Sequence, residues 1–384
     1  MSLNSPTITP STIARVETFV LRVPIDKPVV AAFGTFTDRV AVLVRVEDGD
    51  GAHGWGEIWS NFPSYGAEHR ARVLHAAVAP RALRQAVHDP AALWRTLTAA
   101  THVWAVQSGE PGPLASALAG LDQAVWDLAA RRAGKPLCAL LGGAPSAVPV
   151  YASGLNPGDG PATVERKRAE GYRAFKQKIG FGADTDLGNI GALHGMLDDS
   201  ERLMVDVNQG WSVEEAVRLA PALAGFRLDW VEEPLVADRP EIEWRACAAA
   251  FDVPLAGGEN LRGGDLLAAA RGGVLQVIQP DIGKWGGVSG CLAVGRAAVA
   301  AGKRYCPHWL SGGVGLMHSA HVLAATGGAG CLEVDANDNP LRTTLIDVPA
   351  LRDGRLPIPQ APGIGLEPDL IACGHWLAER RESH

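Results

Sequence analysis

The chain has 384 residues, 47% hydrophobic and 20% charged, with a formal net charge of −7 and a mean hydropathy near zero. That balance suits a soluble globular protein with one large domain and a smaller one. It excludes a helical membrane span, because no apolar run approaches the roughly 18 residues required, and the scattered basic residues leave no footprint for nucleic acid. The six cysteines have no C-x-x-C spacing and sit mostly in apolar runs, so they predict buried, reduced thiols. A polar, Pro/Thr-rich start without an apolar core predicts no signal peptide, and the two together predict a cytoplasmic protein.

The first 60 residues predict a β-meander. Ile13 to Val23 and Arg39 to Val46 are rich in β-branched residues, Asp48-Gly49-Asp50-Gly51 is a hairpin signal, and Ala52 to Ile58 returns as a third strand. Pro24 to Asp38 is expected as a loop. Leu114, Leu118, Leu121, Val125 and Leu128 then form one helical stripe, which Gly134 and Pro136 end. Residues 1–145 therefore predict an α+β unit, strands first and helices after.

From Val148 short apolar strands alternate with helices. Candidate strands end near Gly154, Lys178, Asp206, Glu232, Glu259, Asp281, His308 and Glu333, at intervals of 22 to 28 residues. Eight near-equal units predict a closed parallel (β/α)-barrel, an α/β fold, over 146–345. A doubly wound sheet is the structural rival, but nothing in it calls for eightfold regularity.

Seven of these ends carry a charged or titratable residue, and in a barrel such ends face the active site. Asp206, Glu232 and Glu259 close three consecutive strands and offer only oxygen, a set suited to Mg²⁺. Separate salt bridges are the plainer alternative for any one of them. Lys176 and Lys178 share a strand face, and neighbouring ammonium groups beside a divalent cation are expected to depress one another's pKa. Asp281 and His308 end neighbouring strands, so the carboxylate can fix the imidazole tautomer. Glu333 completes the ring and can meet a substrate carboxylate if protonated or through water. Asn208 shares the face of Asp206, while His194, His318 and His321 read as solvent-facing or packing residues. Lysines on one side and a histidine on the other, with a metal between, suit proton abstraction next to a carboxylate.

The stretches ALAGLDQAVWDLAARRAGKPLCALLGG, GYRAFKQKIG, VDVNQGW, VEEPL, GGEN, QPDIGKWGG, PHWLSGGVG, CLEVD and PGIGLE, in this order, resemble the enolase superfamily and its mandelate racemase subgroup over nearly the whole chain. The resemblance implies a modified TIM barrel under an N-terminal α+β capping domain, with 346–384 returning to the cap, and Mg²⁺ as cofactor. It implies Asp206, Glu232 and Glu259 as metal ligands and Lys178 as base on one face, with Lys176 beside it on the substrate carboxylate. His308, paired with Asp281, would be acid or base on the other face, and Glu333 would hydrogen-bond the substrate carboxylate. Asp281 stands where muconate-lactonizing relatives carry a lysine, and Lys284, three residues on, is not expected to be that base. Asn208, where some sugar-acid dehydratases of the subgroup carry a histidine, disfavours the galactonate-dehydratase-like pattern.

In such a family the cap loops choose the substrate. Here they hold Phe33, Phe36, Trp59, Phe62 and Tyr65, with Trp285 and Trp309 on the barrel side. Phe33, Trp59, Trp309 and Asn208 are candidate substrate contacts, although the aromatics can equally pack one domain on the other. The expected reaction removes the α-proton of a small hydroxy-carboxylate, with dehydration of an acid sugar to a 2-keto-3-deoxy acid first and racemisation or epimerisation second. A non-catalytic metal- and ligand-binding barrel and an aldolase or hydrolase on the same fold are the rivals. The resemblance also implies a homo-oligomer, dimer or octamer.

Overall fold

The computed structural model describes residues 10–31, 34–144 and 146–384. The chain opens on an antiparallel sheet of β1 (Ser11–Ala31), β2 (Gly34–Asp48) and β3 (His53–Ile58), with a short β4 (Ala86–Val87) pairing with β1. The expected hairpin is present: the Asp48 carboxylate accepts the amides of Asp50 and Ala52, both at 3.0 Å, and Gly51 takes φ +83°. The expectation of a loop from Pro24 to Asp38 is overturned. β1 and β2 stay paired through Pro24↔Asp38, slip in register, and pair again at Val29↔Phe36. The β-branched and aromatic residues beyond the two prolines carry the ladder on past the slip.

The helix Pro111–Arg132 holds the predicted stripe, and it is buried on nearly every side from Leu114 to Ala130. It lies between the sheet and the barrel. Its outer contacts are polar and specific: Gln123 bonds the carbonyls of Glu57 and Ile282, and Asp122 accepts from the Ser289 hydroxyl and amide. An amphipathic reading finds the sheet-facing side and misses the barrel-facing one.

Eight parallel strands follow: β5 (Val148–Leu155), β6 (Ala174–Lys178), β7 (Arg202–Asp206), β8 (Leu228–Glu232), β9 (Leu255–Gly257), β10 (Val277–Ile278), β11 (Arg304–Tyr305) and β12 (Leu332–Asp335). They pair in sequence order, and β12 pairs with β5, from Leu332↔Val150 to Asp335↔Ser153. Among the described residues β11 and β12 are joined by one backbone–backbone bond, the Glu333 amide to the Pro307 carbonyl at 3.3 Å, and by the Cys331 amide to Cys306 Sγ at 3.4 Å. Helices from Gly160–Ala169 to Gly313–Thr326 alternate with the strands. Tyr151, Ala174, Met204, Trp230, Ala256, Val277, Cys306 and Cys331 fill the interior as one apolar layer, and the polar groups stand above it. All six cysteines are buried and free.

β13 (Arg355–Leu356) pairs with β5, and β14 (Leu377–Ser383) pairs with β1 from Leu21↔Leu377 to Val16↔Ser383, which draws the terminal segment back onto the first sheet. Among the described residues no helix is long and apolar enough to cross a membrane.

His318 and His321 are packing residues, both fully buried on the helix Gly313–Thr326. His318 Nε2 meets the Trp55 carbonyl at 2.8 Å, and burial pulls its pKa down to about 3. A base whose pKa falls on folding takes up its proton more readily in the unfolded chain. Its contribution is therefore complete above pH 6.5 and is lost as pH falls towards the folded value. His318→Gln, which keeps a donor for Trp55, should lose about 2 kcal/mol less stability than the parent between pH 6 and pH 4.5. Urea midpoints at the two pH values measure this; parallel losses in the two proteins would refute it.

Candidate active site

A cavity of about 320 Å³ opens where the first sheet meets the ends of the barrel strands. Lys178, Asn208, Glu259, Lys284 and His308 form its barrel wall, and Phe36, Trp59, Phe62 and Arg70 its cap wall. Asp206, Glu232, Asp281, Glu333 and Lys176 stand just behind. Alternation along β6 turns Lys176 and Lys178 to the same side. Lys178 Nζ donates to Asp206 Oδ2 at 2.6 Å, and Lys176 Nζ reaches Glu232 at 2.5 Å, Glu333 at 2.7 Å and Asp206 at 3.4 Å. The expected depression of the lysine pKa values fails at Lys176. Burial works in that direction, but Glu232, Glu333 and Asp206 together hold the ammonium well above its ordinary value.

Across the ring, His308 Nδ1 lies 2.6 Å from Asp281 Oδ2, and its Nε2 lies 2.9 Å from Glu259. Asp281 and His308 are bridged in parallel register past the ends of β10 and β11, which is what brings the two side chains together. The Gly283 and Lys284 amides, both at 2.8 Å, fix the other Asp281 oxygen. Burial would lower the imidazole pKa, yet Glu259, Glu333 and Asp281 raise it to about 10.

The carboxylates answer to the same charges. Burial alone would raise Asp206, but Lys178 and Lys176 hold it at about 2. Burial and the Asp206 charge push Glu232 up to about 7 despite Lys176. Glu259 is held well below the ordinary range, against burial, by His308 and Lys284. Glu333 accepts the Trp309 amide at 3.2 Å and is lowered, again against burial, by Lys176 and His308.

Asp206, Glu232 and Glu259 sit at the ends of β7 and β8 and two residues past the end of β9, three adjacent strands, with Asp206 paired to Glu232 in register. Among the described residues they are not drawn in around one point as a set of three metal-holding groups. Each is held instead by an ammonium or imidazole group. Even so, six buried carboxylates (Asp206, Glu232, Glu233, Glu259, Asp281 and Glu333) face at most four cations, those of Lys176, Lys178, Lys284 and a protonated His308. Ionising all six would leave two negative charges uncompensated, and burial with the neighbouring carboxylates accordingly pushes Glu232 up to about 7 and Glu233 well above its ordinary value. All-oxygen donors with that deficit fit a hard divalent cation such as Mg²⁺.

Asn208, at φ +49°, donates its side chain to Asp206 at 3.2 Å, and its own buried Oδ1 has no partner among the described residues. Trp59 lies with its ring 5.5 Å from that of His308 and 4.5 Å from Lys284 Nζ. Trp309 does not line the cavity. It is packed behind Trp59 with its indole N–H on the Gly312 carbonyl at 2.6 Å, which leaves its amide as the group turned to the site. Phe33 lies outside the described residues.

Several neighbours have partners that sequence reasoning did not assign. Lys284 reaches Glu259 at 2.5 Å from a loop turn, three residues past the strand-end position. Arg39 and Asp335, both buried, pair across the cap–barrel boundary at 2.6 Å. Glu57, on β3, accepts the amides of Gly312 and Gly315 at 2.6 and 2.9 Å, so a buried cap carboxylate seats the start of a barrel helix. Alternation along β3 puts Glu57 inward, and a charged residue there was the available signal.

Residues 15–142 match the family described as mandelate racemase / muconate lactonizing enzyme, N-terminal domain, and 161–372 match enolase C-terminal domain-like proteins. A solved mandelate racemase/muconate lactonizing enzyme from Bordetella bronchiseptica RB50 is 52% identical, with TM-score 0.90 over 95% of this chain and 99% of that one. A racemase from Streptomyces coelicolor A3(2) with bound magnesium is 30% identical, with TM-score 0.86 over 95% of this chain and all of that one. D-galactarolactone cycloisomerase of Agrobacterium fabrum is 32% identical over 92% of this chain and 96% of its own length. Acid-sugar dehydratases and an N-succinylamino acid racemase match as well.

Proposed function

Because the chain belongs to the mandelate racemase/muconate lactonizing enzyme family and is an enzyme of its lyase or racemase type, we propose that it removes the α-proton of an acid sugar and expels the β-hydroxyl, giving a 2-keto-3-deoxy acid. The observation that carries this reading is the placement of Lys178 and His308 across one cavity, each tied to its own carboxylate. Residues 146–345 would be the catalytic barrel, 1–145 the specificity cap, and 346–384 the return to the cap.

Lys178, whose Nζ stands beside Asp206, takes the α-proton. Lys176 receives the substrate carboxylate, which Glu333 meets only when protonated or through a water, and Asn208 orients the neighbouring hydroxyl. His308, held in one orientation by Asp281, gives its Nε2 proton to the departing hydroxyl. Trp59, Phe36 and Phe62 keep water out. Asp206, Glu232 and Glu259 would hold Mg²⁺, which when bound supplies positive charge to the substrate carboxylate as it becomes a dianion. The second reading, racemisation or epimerisation, is favoured by the same two opposed proton carriers. The free buried cysteines support a cytoplasmic setting, and a dimer or octamer remains the expected assembly, read out by sedimentation.

Proton NMR in D₂O with Mg²⁺ over a panel of acid sugars and α-hydroxy acids tests the reading. A 2-keto product supports dehydration, whereas deuterium at the α-carbon of an intact skeleton transfers the case to the racemase. EDTA should abolish turnover and Mg²⁺ restore it. With Mg²⁺ at 100 times its Kd the fold should gain about 2.7 kcal/mol, seen as a rise in Tm that Asp206→Asn loses. Full activity after exhaustive chelation would count against the metal.

A further inference from the structure

Among the described residues, the cavity wall contains one buried cation that nothing answers. Arg70, on the helix Ala67–Val73, is 9% exposed and lines the cavity beside Phe36 and Phe62. Its Nε is buried without a partner, and no hydrogen bond or ion pair reaches it among the described residues. Glu68 on the same helix, and the carboxylates that share partners with it or with His69, are already engaged. Glu68 accepts two bonds from Arg22 at 2.6 and 2.7 Å, Asp38 accepts a third at 3.0 Å, and Glu110 is held by His69 at 2.7 Å. The other buried cations of this cavity each have a counter-ion: Arg39 has Asp335, Lys178 has Asp206, Lys284 has Glu259 and His308 has Asp281, while Arg262 at the rim is exposed to water. Burial pulls the Arg70 pKa down, opposed only by Tyr65.

A buried guanidinium without an anion is costly, and it is kept where an anion arrives from outside. The room around it is also kept. A Cβ on Gly66 would stand 2.6 Å from Arg70 Nη1, so glycine leaves the guanidinium its place. Arg70 shares the cavity with Lys178 and His308, but it belongs to the cap, away from the strand ends where the reacting carboxylate would be bound. A cavity of about 320 Å³ is of the size that holds a six-carbon acid.

We infer that Arg70 anchors a second carboxylate at the far end of the substrate, so that the site selects a dicarboxylic sugar acid over the monocarboxylic acid of equal length. This rests on the acid-sugar reading above and names the substrate class within it. The planar fork of Arg70 takes a carboxylate in two parallel bonds, which a terminal hydroxymethyl group cannot supply.

The test compares galactarate with galactonate, which differ only at the far carbon. The parent should prefer the diacid. Arg70→Met should cut the diacid-to-monoacid ratio of kcat/KM about 100-fold, mainly through KM, and Arg70→Lys should restore part of it. Gly66→Val, which crowds the guanidinium without removing it, should shift the ratio the same way. Arg70→Met should fold, because it removes an unpaired buried charge, and its Tm checks this. A second readout needs no turnover: adipate and hexanoate are titrated with Mg²⁺ present, following tryptophan fluorescence, since Trp59 lines the cavity. Adipate should bind the parent at least tenfold better than it binds Arg70→Met, with hexanoate showing no such gap. If no sugar acid is turned over but adipate still depends on Arg70, the catalytic reading falls and the anchor stands. A parent without diacid preference in either assay, or an Arg70→Met ratio within threefold of the parent's, overturns the assignment.

Discussion

Lys178→Ala should abolish both turnover and exchange of the substrate α-proton, while His308→Asn should abolish turnover and leave exchange in place. Each loss is expected near 10⁴-fold, the upper end for a positioned acid or base, because the C–H bond next to a carboxylate is a weak acid. The asymmetry follows from where the two groups stand. Lys178 and His308 face each other across the ring, so one side chain cannot replace the other on the same face of the α-carbon. If Lys178 starts the reaction, the His308→Asn enzyme still forms and re-forms the intermediate and washes solvent deuterium into the α-position. It lacks only the proton that the β-hydroxyl needs in order to leave. The reverse pattern would make His308 the initiating base. A racemase would show a third pattern, in which each variant still exchanges the proton of one enantiomer alone. Asp281→Asn belongs in the same series. It keeps the shape beside His308 but removes the carboxylate that sets its tautomer, and should cost less than His308→Asn.

The strand ends were legible because a barrel repeats. The intervals between Lys178, Asp206, Glu232 and their successors mark where each apolar run stops, and alternation says which side chains turn inward. Lys176, Lys178 and Asp206 are found together for that reason. Residues set by loop geometry or by the contact of two layers were out of reach. Lys284 comes to Glu259 because the chain turns over Asp281, whose carboxylate caps the Gly283 and Lys284 amides. Arg70 meets the cavity only once the cap is seated. Trp309 shows the opposite error. Its position next to His308 suggested a contact with substrate, but an indole fills the gap between Gly283 and Gly315 and bonds to Gly312 instead. The side-chain charges also mislead when read alone. Two neighbouring lysines predict mutual depression, and three buried carboxylates reverse the sign at Lys176.

The seating of the cap itself rests on two glycines, and Gly56→Ala should be a severely damaging single-methyl change. On β3, a Cβ at Gly56 would stand 2.1 Å from the Gly120 carbonyl oxygen and 2.8 Å from the Ala124 amide. Gly54, two residues earlier on the same face, meets the backbone of Leu128 and Ala124 just as closely. These obstacles are helix backbone, so no rotamer change relieves them. Nor can the helix Pro111–Arg132 retreat, because its other side is bonded to the barrel through Asp122, Gln123 and Trp126. The strand has to move, and overpacking of this kind costs about 3 kcal/mol or more. Gly49→Ala, in open space at the hairpin tip, serves as the control and should change stability by less than about 0.5 kcal/mol. The damage should also reach the site. β3 carries Glu57, whose carboxylate holds the Gly312 and Gly315 amides, and it leads directly to Trp59 over Lys284 and His308. A displaced strand should therefore raise KM in whatever fraction still folds, while chemistry on bound substrate changes less. Urea unfolding of both variants measures the first effect, and steady-state kinetics below the new midpoint the second. A Gly56→Ala protein as stable as Gly49→Ala would mean that sheet and helix do not meet backbone to backbone.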